Sequence, residues 1–551
     1  MESHRIFHLS KKHNCMRIPY IFIFLLIANV FLFPIKAADN IRFIPQPAEI
    51  LMQSGTFRLD GSATISFSKE LNKEVSLLKN YLHELGLTAA LSMDKSDAMI
   101  QLQLSETVLP AHKEGYILQI SNRNIQIKSS SATGIFYGIQ TLRQLVEKYP
   151  NRILPQLTIT DYPAFSWRAL MLDEARYFKG KEVVCRLLDQ MAYLKMNTFH
   201  WHLTDDQGWR IEIKKFPKLT EIGSHRASSD INHFGSDVFD SKPHSGYYTQ
   251  KEIKEIIEYA YERHINIIPE IEMPGHASAA IASYPWLGTK NTPISVPGKF
   301  GVHYNVYNIA DPKVVNALKD ILSEVIELFP SPVIHIGGDE VKYNHWKESS
   351  VIQAYMQKYA LQTPAELQVH FTNGISNWLS SKGKRMMGWN DITGSKLHDY
   401  NEDVADASNT RRLADGTIVQ FWKGDIGLIK ETAQKGYDIV NSNNVLTYLD
   451  YGYDNISLSK AYSFNPIPDD LPANLHNKIL GCGCQLWTEW VNTPEKMNYQ
   501  VFPRIAAYAE CGWTLPQNKD FDRFKISLDN LLQIWKEKGI SVGPVEDVAK
   551  Q

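Results

Sequence analysis

Two adjacent carboxylic acids, Asp339 and Glu340, follow a short apolar segment and the glycines Gly337 and Gly338. Adjacent strand residues point to opposite faces, so both acids reach one pocket only where a strand ends or bulges. The two glycines give the chain the freedom to turn there. Two close carboxyl groups push their proton affinities apart, which suits one as an acid and the other as an anion. A metal site is the alternative, because Asp and Glu also bind hard cations.

Other residues that could do chemistry recur where apolar, strand-like segments end. They are Arg176, Asp205, His276, His335, Trp389, Trp422, Tyr448, Asp450, Trp487 and Glu489. Taken singly, each has an ordinary structural explanation, such as a helix cap, a turn or a buried aromatic ring. Their shared position at the ends of successive segments indicates a single site.

Eight apolar segments separated by helical stretches supply the strands that must position these residues. The segments are 167–173, 198–205, 265–272, 333–338, 385–389, 417–422, 438–441 and 479–487. This alternation predicts an α/β fold with a parallel sheet, and eight strands favour a (β/α)8 TIM barrel, whose sites lie at the C-terminal strand ends. An open doubly wound sheet is the structural alternative, but no glycine-rich nucleotide loop follows the first strand.

The segment before the barrel has short alternating strands and a helix near 134–148, which predicts a smaller α+β domain. We expect this non-catalytic domain over 39–161, the catalytic barrel over 162–515, and a C-terminal helical extension over 516–551 packed on the barrel. The last of these contains an amphipathic helix near 521–539.

The first 38 residues have the order typical of a secretory signal peptide. A basic stretch precedes an apolar run over 18–33, and the small residues Ala37 and Ala38 follow. The run is shorter than the roughly 20 residues that a membrane span requires. We therefore expect an exported protein, periplasmic or extracellular, with no stable membrane span after cleavage. An uncleaved N-terminal anchor is the alternative.

The charge of the chain is nearly balanced, with 58 Lys and Arg against 60 Asp and Glu. Nucleic-acid binders usually carry a basic excess, so no nucleic-acid partner is expected. The cysteines beyond the signal segment are Cys185, Cys482, Cys484 and Cys511. Their scattered spacing predicts neither a disulfide framework nor a zinc site.

The segment His335-Ile-Gly-Gly-Asp-Glu340 resembles the H-x-G-G-D-E signature of glycoside hydrolase family 20, the β-N-acetylhexosaminidases. Four further segments resemble the family's blocks in the family's order. They are Asp173-Glu-Ala-Arg-Tyr-Phe, His200-Trp-His-Leu-Thr-Asp-Asp-Gln-Gly-Trp-Arg210, Pro269-Glu-Ile-Glu-Met-Pro-Gly-His276 and Trp487-Thr-Glu489. The resemblance covers the whole mature chain, including the N-terminal α+β domain.

The resemblance implies an exo-acting glycosidase that removes terminal N-acetylhexosamine, GlcNAc or GalNAc, from a glycan or oligosaccharide without a cofactor. In the family's substrate-assisted scheme, the 2-acetamido oxygen of the substrate attacks the anomeric carbon. Glu340 would be the general acid and then the base, and Asp339 would orient the acetamido N–H. The oligomeric state is left open by the sequence.

The resemblance also implies roles for the other residues. Tyr448 would donate to the acetamido oxygen, and Arg176, Glu489 and Asp450 would hold sugar hydroxyls. The remaining assignments are an apolar wall of Trp389, Trp422 and Trp487, and supporting positions for Asp205, His276 and His335.

Three other functions fit parts of the sequence. A metal-dependent barrel hydrolase would use His200 and His202, which period-two spacing places on one face of a strand. A glycan-binding protein on the same scaffold would not need an intact Asp339–Glu340 pair. A family member that releases a disaccharide such as lacto-N-biose would need an open pocket, whereas Arg176 and Glu489 would close it beyond the first sugar.

Overall fold

The computed structural model describes residues 41–93, 97–106, 112–395, 397–401, 405, 407 and 412–547. The expected signal segment, 1–38, lies outside the described residues. Within the described part of the chain, no helix combines the length and the apolar character needed to cross a membrane.

A seven-stranded mixed sheet forms the first domain. Its strands are β1 (Glu49–Arg58), β2 (Ser62–Phe67), β3 (Thr88–Met93), β4 (Ile100–Leu104), β5 (Tyr116–Ile120), β6 (Ile125–Ser129) and β7 (Ile153–Asp161). The order across the sheet is β1-β7-β5-β6-β4-β2-β3, antiparallel from β1 to β6 and parallel from β6 to β3. Helices α1 (Asn72–Glu84) and α2 (Ala132–Lys148) contact this sheet. Every second residue of β5 and β6 is buried, which is the alternation expected of a sheet packed on one face.

The strands of the second domain begin at Trp167. In chain order they are β8 (Trp167–Asp173), β9 (Thr198–His202), β10 (Thr204–Asp205), β11 (Gly208–Trp209), β12 (His225–Arg226), β13 (His244–Ser245), β14 (Asn266–Glu270), β15 (Val333–His335), β16 (Arg385–Trp389), β17 (Ile418–Phe421), β18 (Asp438–Asn441) and β19 (Ile479–Leu486). The short strands β10 with β11, and β12 with β13, form separate pairs. The other eight close into a parallel barrel in the order β14-β15-β16-β17-β18-β19-β8-β9. This barrel confirms the predicted fold class.

Five barrel strands, β9, β14, β15, β17 and β19, are shorter than predicted, and β9 and β15 lose the most residues at their C-terminal ends. The segment 333–338 is a strand only as far as His335, because Gly337 and Gly338 take positive φ angles of 63° and 90° and leave the extended conformation. The segment 198–205 is interrupted after His202, where the chain leaves the barrel to form the small pair of β10 and β11. Both interruptions lie where the predicted site begins.

Helices connect and cover the barrel strands. They are α3 (Lys181–Tyr193), α4 (Lys218–Glu221), α5 (Gln250–Glu262), α6 (Ser278–Ser283), α7 (Pro312–Leu328), α8 (Asn344–Glu348), α9 (Ser350–Lys358), α10 (Pro364–Ser381), α11 (Gly427–Gln434), α12 (Asn444–Thr447), α13 (Leu458–Ser463), α14 (Pro494–Val501), α15 (Arg504–Trp513) and α16 (Phe521–Glu537). Local signals fix several starts: Thr249 and Glu252 form a capping box at α5. The final helix, α16, contacts α3 through a 2.9 Å hydrogen bond from Trp535 to Gln190.

Charged side chains join the first domain to the base of the barrel. We call these charged residues, together with the indole that binds one of them, the domain seam: Asp161, Lys195, Arg168, Glu114 and Trp513. Asp161 accepts from Lys195 Nζ at 2.8 Å and from the Trp513 indole at 3.0 Å. Arg168 donates to both oxygens of Glu114, at 2.7 and 3.1 Å. The sheet and the barrel are therefore held together by paired charges as well as by apolar packing.

Candidate active site

Asp339 and Glu340 lie on a left-handed turn immediately after β15. Gly337 and Gly338 open the turn, and Glu340 itself has a φ of 53°. A Cβ atom at Gly337 would collide with the carboxyl group of Glu272, so only glycine fits there. The turn explains how two residues adjacent in sequence approach the same imidazole rather than opposite faces of a strand.

That imidazole belongs to His276. Its Nε2 atom lies 3.8 Å from Asp339 Oδ2 and 3.6 Å from Glu340 Oε2. On its other side, Nδ1 lies 3.1 Å from Asp205 Oδ1 and 3.2 Å from Asp206 Oδ2. Burial disfavours charge on His276, but the surrounding carboxylates Asp205, Asp206 and Glu340 raise its pKa well above the usual value. The structure therefore places the predicted Asp205 and His276 against the predicted acids.

Asp339 is buried, and its Oδ1 atom has no hydrogen-bond partner among the described residues. Burial raises its pKa well above the usual range; His276 opposes this shift, while Asp391 and Glu340 add to it. A buried carboxyl oxygen without a partner costs about 1–3 kcal/mol, unless a ligand satisfies it. Asp339 thus has capacity to bind a hydrogen-bond donor.

Arg176 lies among three carboxylates in a second part of the site. Its guanidinium lies 2.8 Å from Asp205, 3.3 Å from Asp173 and 3.6 Å from Glu489. Burial opposes the charge, but these three carboxylates raise the pKa of Arg176 further above its ordinary range. Arg176 and Glu489, which come from opposite ends of the barrel sequence, are adjacent because β19 pairs with β8.

Three tryptophans and a tyrosine form an aromatic box on the same rim: Trp389, Trp422, Tyr448 and Trp487. They pack as one cluster, and the rings of Trp422 and Tyr448 are parallel to within 7°. The indole of Trp389 donates to a buried acid, Glu270, at 2.7 Å, whereas that of Trp487 has no partner among the described residues. The box therefore presents apolar ring faces, and a buried hydrogen bond fixes the ring of Trp389.

Asp450 follows Tyr448 on the loop after β18. Its Oδ1 atom is buried and has no hydrogen-bond partner within the described ranges. Burial and the neighbouring Glu489 raise the pKa of Asp450 to about 8. Asp450 therefore lies with Arg176 and Glu489 at one end of the site.

Residues 165–516 match the model of glycosyl hydrolase family 20, catalytic domain, and residues 40–162 match domain 2 of the same family. The chain belongs to glycosyl hydrolase family 20. It is 36% identical over 516 residues to a β-hexosaminidase of Porphyromonas gingivalis, and the match covers 89% of this chain and 63% of that protein. The chain thus spans just under two thirds of the length of this relative.

Solved structures of family 20 proteins have the same fold. A β-N-acetylhexosaminidase of Bacteroides fragilis superposes with a TM-score of 0.78 at 29% identity, covering 92% of this chain and 98% of that one. An exo β-N-acetylglucosaminidase of Vibrio harveyi, solved with N-acetylglucosamine, has a TM-score of 0.77 at 31% identity and covers 91% and 78%. This chain is accordingly a family 20 glycosidase.

The family 20 site contains residues that the sequence analysis did not select. The most connected is Asp391, in the 3₁₀ turn Asn390–Thr393 after β16. It accepts the backbone N–H of Glu340 at 3.2 Å, the Trp422 indole at 2.9 Å and His398 Nε2 at 2.7 Å. Its place two residues after Trp389 was a usable signal, since acids at strand ends mark barrel sites. His398 lies in an irregular loop and gave no such signal.

His335 supports the site from inside the barrel. Its Nδ1 atom lies 2.9 Å from Glu270, which also contacts His200 Nε2 at 2.7 Å. The Nδ1 atom of His202 lies 3.1 Å from Oδ1 of a different acid, Asp173. The metal-hydrolase hypothesis requires His200 and His202 to share one ion, whereas the donor atoms fall into two groups that have only Glu270 in common, one with His200 and His335 and one with His202 and Glu272. Donor atoms of His200, Glu270 and His335 do lie within 4.8 Å of one another, so this trio has metal-compatible spacing.

Proposed function

We propose that this family 20 glycosidase is an exo-acting β-N-acetylhexosaminidase that removes terminal GlcNAc or GalNAc from glycans by substrate-assisted retaining catalysis. The observation that carries the proposal is the contact of one imidazole, His276, with both Asp339 and Glu340, at 3.8 and 3.6 Å. An ordinary retaining glycosidase places its two carboxyl groups on opposite sides of the scissile bond. Two adjacent acids that contact the same imidazole instead suit a mechanism in which the substrate supplies the nucleophile.

The first step breaks the glycosidic bond. The acetamido carbonyl oxygen forms a bond to the anomeric carbon while Glu340 gives its proton to the departing oxygen. The product is a bicyclic oxazolinium ion and a free alcohol. In the second step Glu340 takes a proton from water, whose oxygen opens the ring at the anomeric carbon and restores the acetamido group.

Asp339 is suited to hold the acetamido group. Its unpartnered Oδ1 atom can accept the acetamido N–H, and a positive charge developing on the ring would favour the carboxylate form. Tyr448 and the aromatic box would fix the carbonyl oxygen and the methyl group. Burial raises the pKa of Asp339, so an N–H donor from the acetamido group would stabilise its charged form.

Arg176, Glu489 and Asp450 are suited to bind the hydroxyls at the non-reducing end. Arg176 is almost fully buried and fixed by its carboxylate contacts, so it would block a second sugar beyond the first. This arrangement favours release of a monosaccharide over release of a disaccharide. The bound N-acetylglucosamine of the Vibrio harveyi relative supports a substrate that contains this sugar.

The test is hydrolysis of an aryl β-GlcNAc beside an aryl β-glucoside and an aryl lacto-N-bioside, with and without a thiazoline mimic of the bicyclic intermediate. We expect cleavage of the acetamido monosaccharide alone, blocked by the mimic. Cleavage of the lacto-N-bioside instead would make the chain a disaccharide-releasing enzyme. Cleavage of none would favour a glycan-binding protein.

We also propose that the protein is exported by its N-terminal segment and cleaved near residue 38. The proposal is supported by the order of basic, apolar and small residues over 5–38. Sequencing of the N-terminus of protein recovered from producing cells tests it. An N-terminus near 39 in the periplasmic or extracellular fraction is expected, whereas an intact N-terminus in the membrane fraction would indicate the uncleaved anchor.

A further inference from the structure

A second carboxylate–imidazole pair lies beside the general acid. His276 Nε2 is 3.6 Å from Oε2 of Glu340, and His398 Nδ1 is 4.0 Å from the other oxygen, Oε1. Asp391 holds His398 through a 2.7 Å hydrogen bond between Nε2 and Oδ1. Asp391 and His398 are not among the residues to which the family resemblance assigned a role.

Asp391 connects three parts of the site with its two oxygens. Oδ1 accepts the backbone N–H of Glu340 at 3.2 Å in addition to His398, and Oδ2 accepts the indole N–H of Trp422 at 2.9 Å. Asp391 is only 7% exposed, which disfavours its charge, but the hydrogen bonds that it accepts from His398, the Trp422 indole and the Glu340 backbone lower its pKa. The carboxylate can therefore accept at both oxygens.

The contact with Lys423 bears on which ring nitrogen of His398 carries the hydrogen. Its ammonium group lies 3.4 Å from His398 Nδ1, and an ammonium group can only donate. A lone pair on Nδ1 would accept from Lys423, and the hydrogen on Nε2 would then be directed at Asp391. In this arrangement His398 is a donor to Asp391 and not a proton source for Glu340.

We propose that Asp391, oriented by His398, is a positioning residue that couples the general acid to the aromatic box. It holds the main chain of Glu340 in the left-handed turn and ties that turn to Trp422, so neither can shift without the other. The inference rests on the proposed function, in which Glu340 is the acid. A displacement of a reacting group by 1 Å can lower the rate by about a hundredfold, so a misplaced Glu340 should be measurable.

Leaving groups of different acidity separate positioning of the acid from general damage to the site. A 4-methoxyphenyl β-GlcNAc needs protonation by Glu340, whereas the 2,4-dinitrophenyl analogue leaves as a stable anion. Because kcat/KM reports the first bond-breaking step, His398→Leu should lower it by about a hundredfold for the methoxyphenyl substrate and by less than about tenfold for the dinitrophenyl substrate. Equal losses with the two substrates, or no loss, would overturn the inference.

Two further variants sharpen this test. His398→Gln keeps an N–H donor near the position of Nε2 and should recover most of the activity that His398→Leu loses. Trp422→Phe keeps an aromatic wall but removes the indole N–H from Asp391 Oδ2, and it should show the same dependence on the leaving group, with a smaller amplitude. A rate loss in Trp422→Phe that is the same for both substrates would contradict the coupling between box and acid.

The chain offers a matched control in His264 and Glu74. This imidazole–carboxylate pair has its closest atoms 2.8 Å apart and joins the first domain to the turn before β14, at the opposite end of that strand from the site residues. His264→Leu should lower the thermal midpoint without changing the ratio of the two rates. A wild-type protein that cleaves neither substrate would refute the proposed function, whereas unchanged ratios in the His398 variants of an active enzyme would refute this inference alone.

Discussion

Two regions hold buried charged side chains in different ways, the domain seam and the rim formed by the C-terminal ends of the barrel strands. In the seam each acid meets a base: Asp161 binds Lys195, and Glu114 binds Arg168 through both oxygens. On the rim, buried oxygens of Asp339 and Asp450 have no hydrogen-bond partner among the described residues. Both regions are polar and enclosed, and they differ in whether their hydrogen bonds are already complete.

The difference separates a structural use of buried charge from a functional one. Burying an unpaired polar group is unfavourable, so folding alone would select paired groups such as those of the seam. The rim retains acids whose pKa values are raised by burial, notably Asp339 and Asp450. Such perturbed groups cluster where a protein binds or transforms a ligand. At Asp339 and Asp450 an unsatisfied buried oxygen and a raised pKa therefore occur together on the same rim.

The largest effect is expected at Glu340. Glu340→Gln removes the transferable proton, so kcat for an aryl β-GlcNAc should fall by about a thousandfold or more. The side chain is partly exposed and the change is isosteric, so the thermal midpoint should stay close to that of the wild type. Steady-state kinetics beside thermal unfolding measure both. A large loss of stability would mean that Glu340 belongs with the seam residues rather than with the rim.

A smaller loss of rate is expected at Asp339. Asp339→Asn leaves a neutral amide where the acetamido N–H needs an acceptor and the developing cation needs a negative charge, so kcat/KM should fall by about a hundredfold. Folding should be unimpaired, since the carboxyl group is destabilised by burial in the free enzyme. Wild-type rates in this variant would refute the role assigned to Asp339.

The seam should respond in the opposite way. Lys195→Met leaves Asp161 buried without its cation and should lower the free energy of unfolding by about 3–5 kcal/mol. The rate per folded molecule should not change, because neither residue contacts the rim groups. Urea unfolding and active-site titration provide the two measurements. Adding Asp161→Asn should restore part of the stability, and a drop in the rate of folded enzyme would contradict the separation of the regions.

The smallest effect is a dependence of stability on pH. The pKa of Asp450 is raised to about 8 when folded, so between the unfolded pKa near 4 and pH 8 the native state holds a proton that the unfolded state has lost. Stability therefore falls as pH rises through this window, by at most about 1.4 kcal/mol per pH unit from this group. Asp450→Asn should flatten the fall between pH 5 and pH 7 in urea titrations. Parallel curves for the two proteins would show that Asp450 does not carry the proton.

The fold was predictable because its signals are local. Apolar runs bounded by helical segments marked all eight barrel strands, and β8, β16 and β18 have the predicted bounds. The joint placement of Arg176 and Glu489 followed from closure of the barrel, since the C-terminal ends of parallel strands share one rim.

Asp391 and His398 were missed for physical reasons. Their roles depend on contacts between the loops that follow neighbouring strands, such as the bond from the Glu340 amide to Asp391, which spans 51 positions of sequence. The path of a loop is set by such tertiary contacts and not by periodicity. His398 could be found only once the chain was folded around it.

Glu340 adopts a left-handed backbone conformation, with a φ of 53°, and this conformation affects the stability of the protein. That conformation costs a residue other than glycine about 1–2 kcal/mol. Glycine adopts positive φ angles without this cost, as Gly337 and Gly338 do earlier in the same turn. Glu340→Gly should therefore give a protein that is more stable but catalytically inactive. A glutamate at this position therefore costs stability that a glycine would regain, which is the expected expense of holding an acid in this turn.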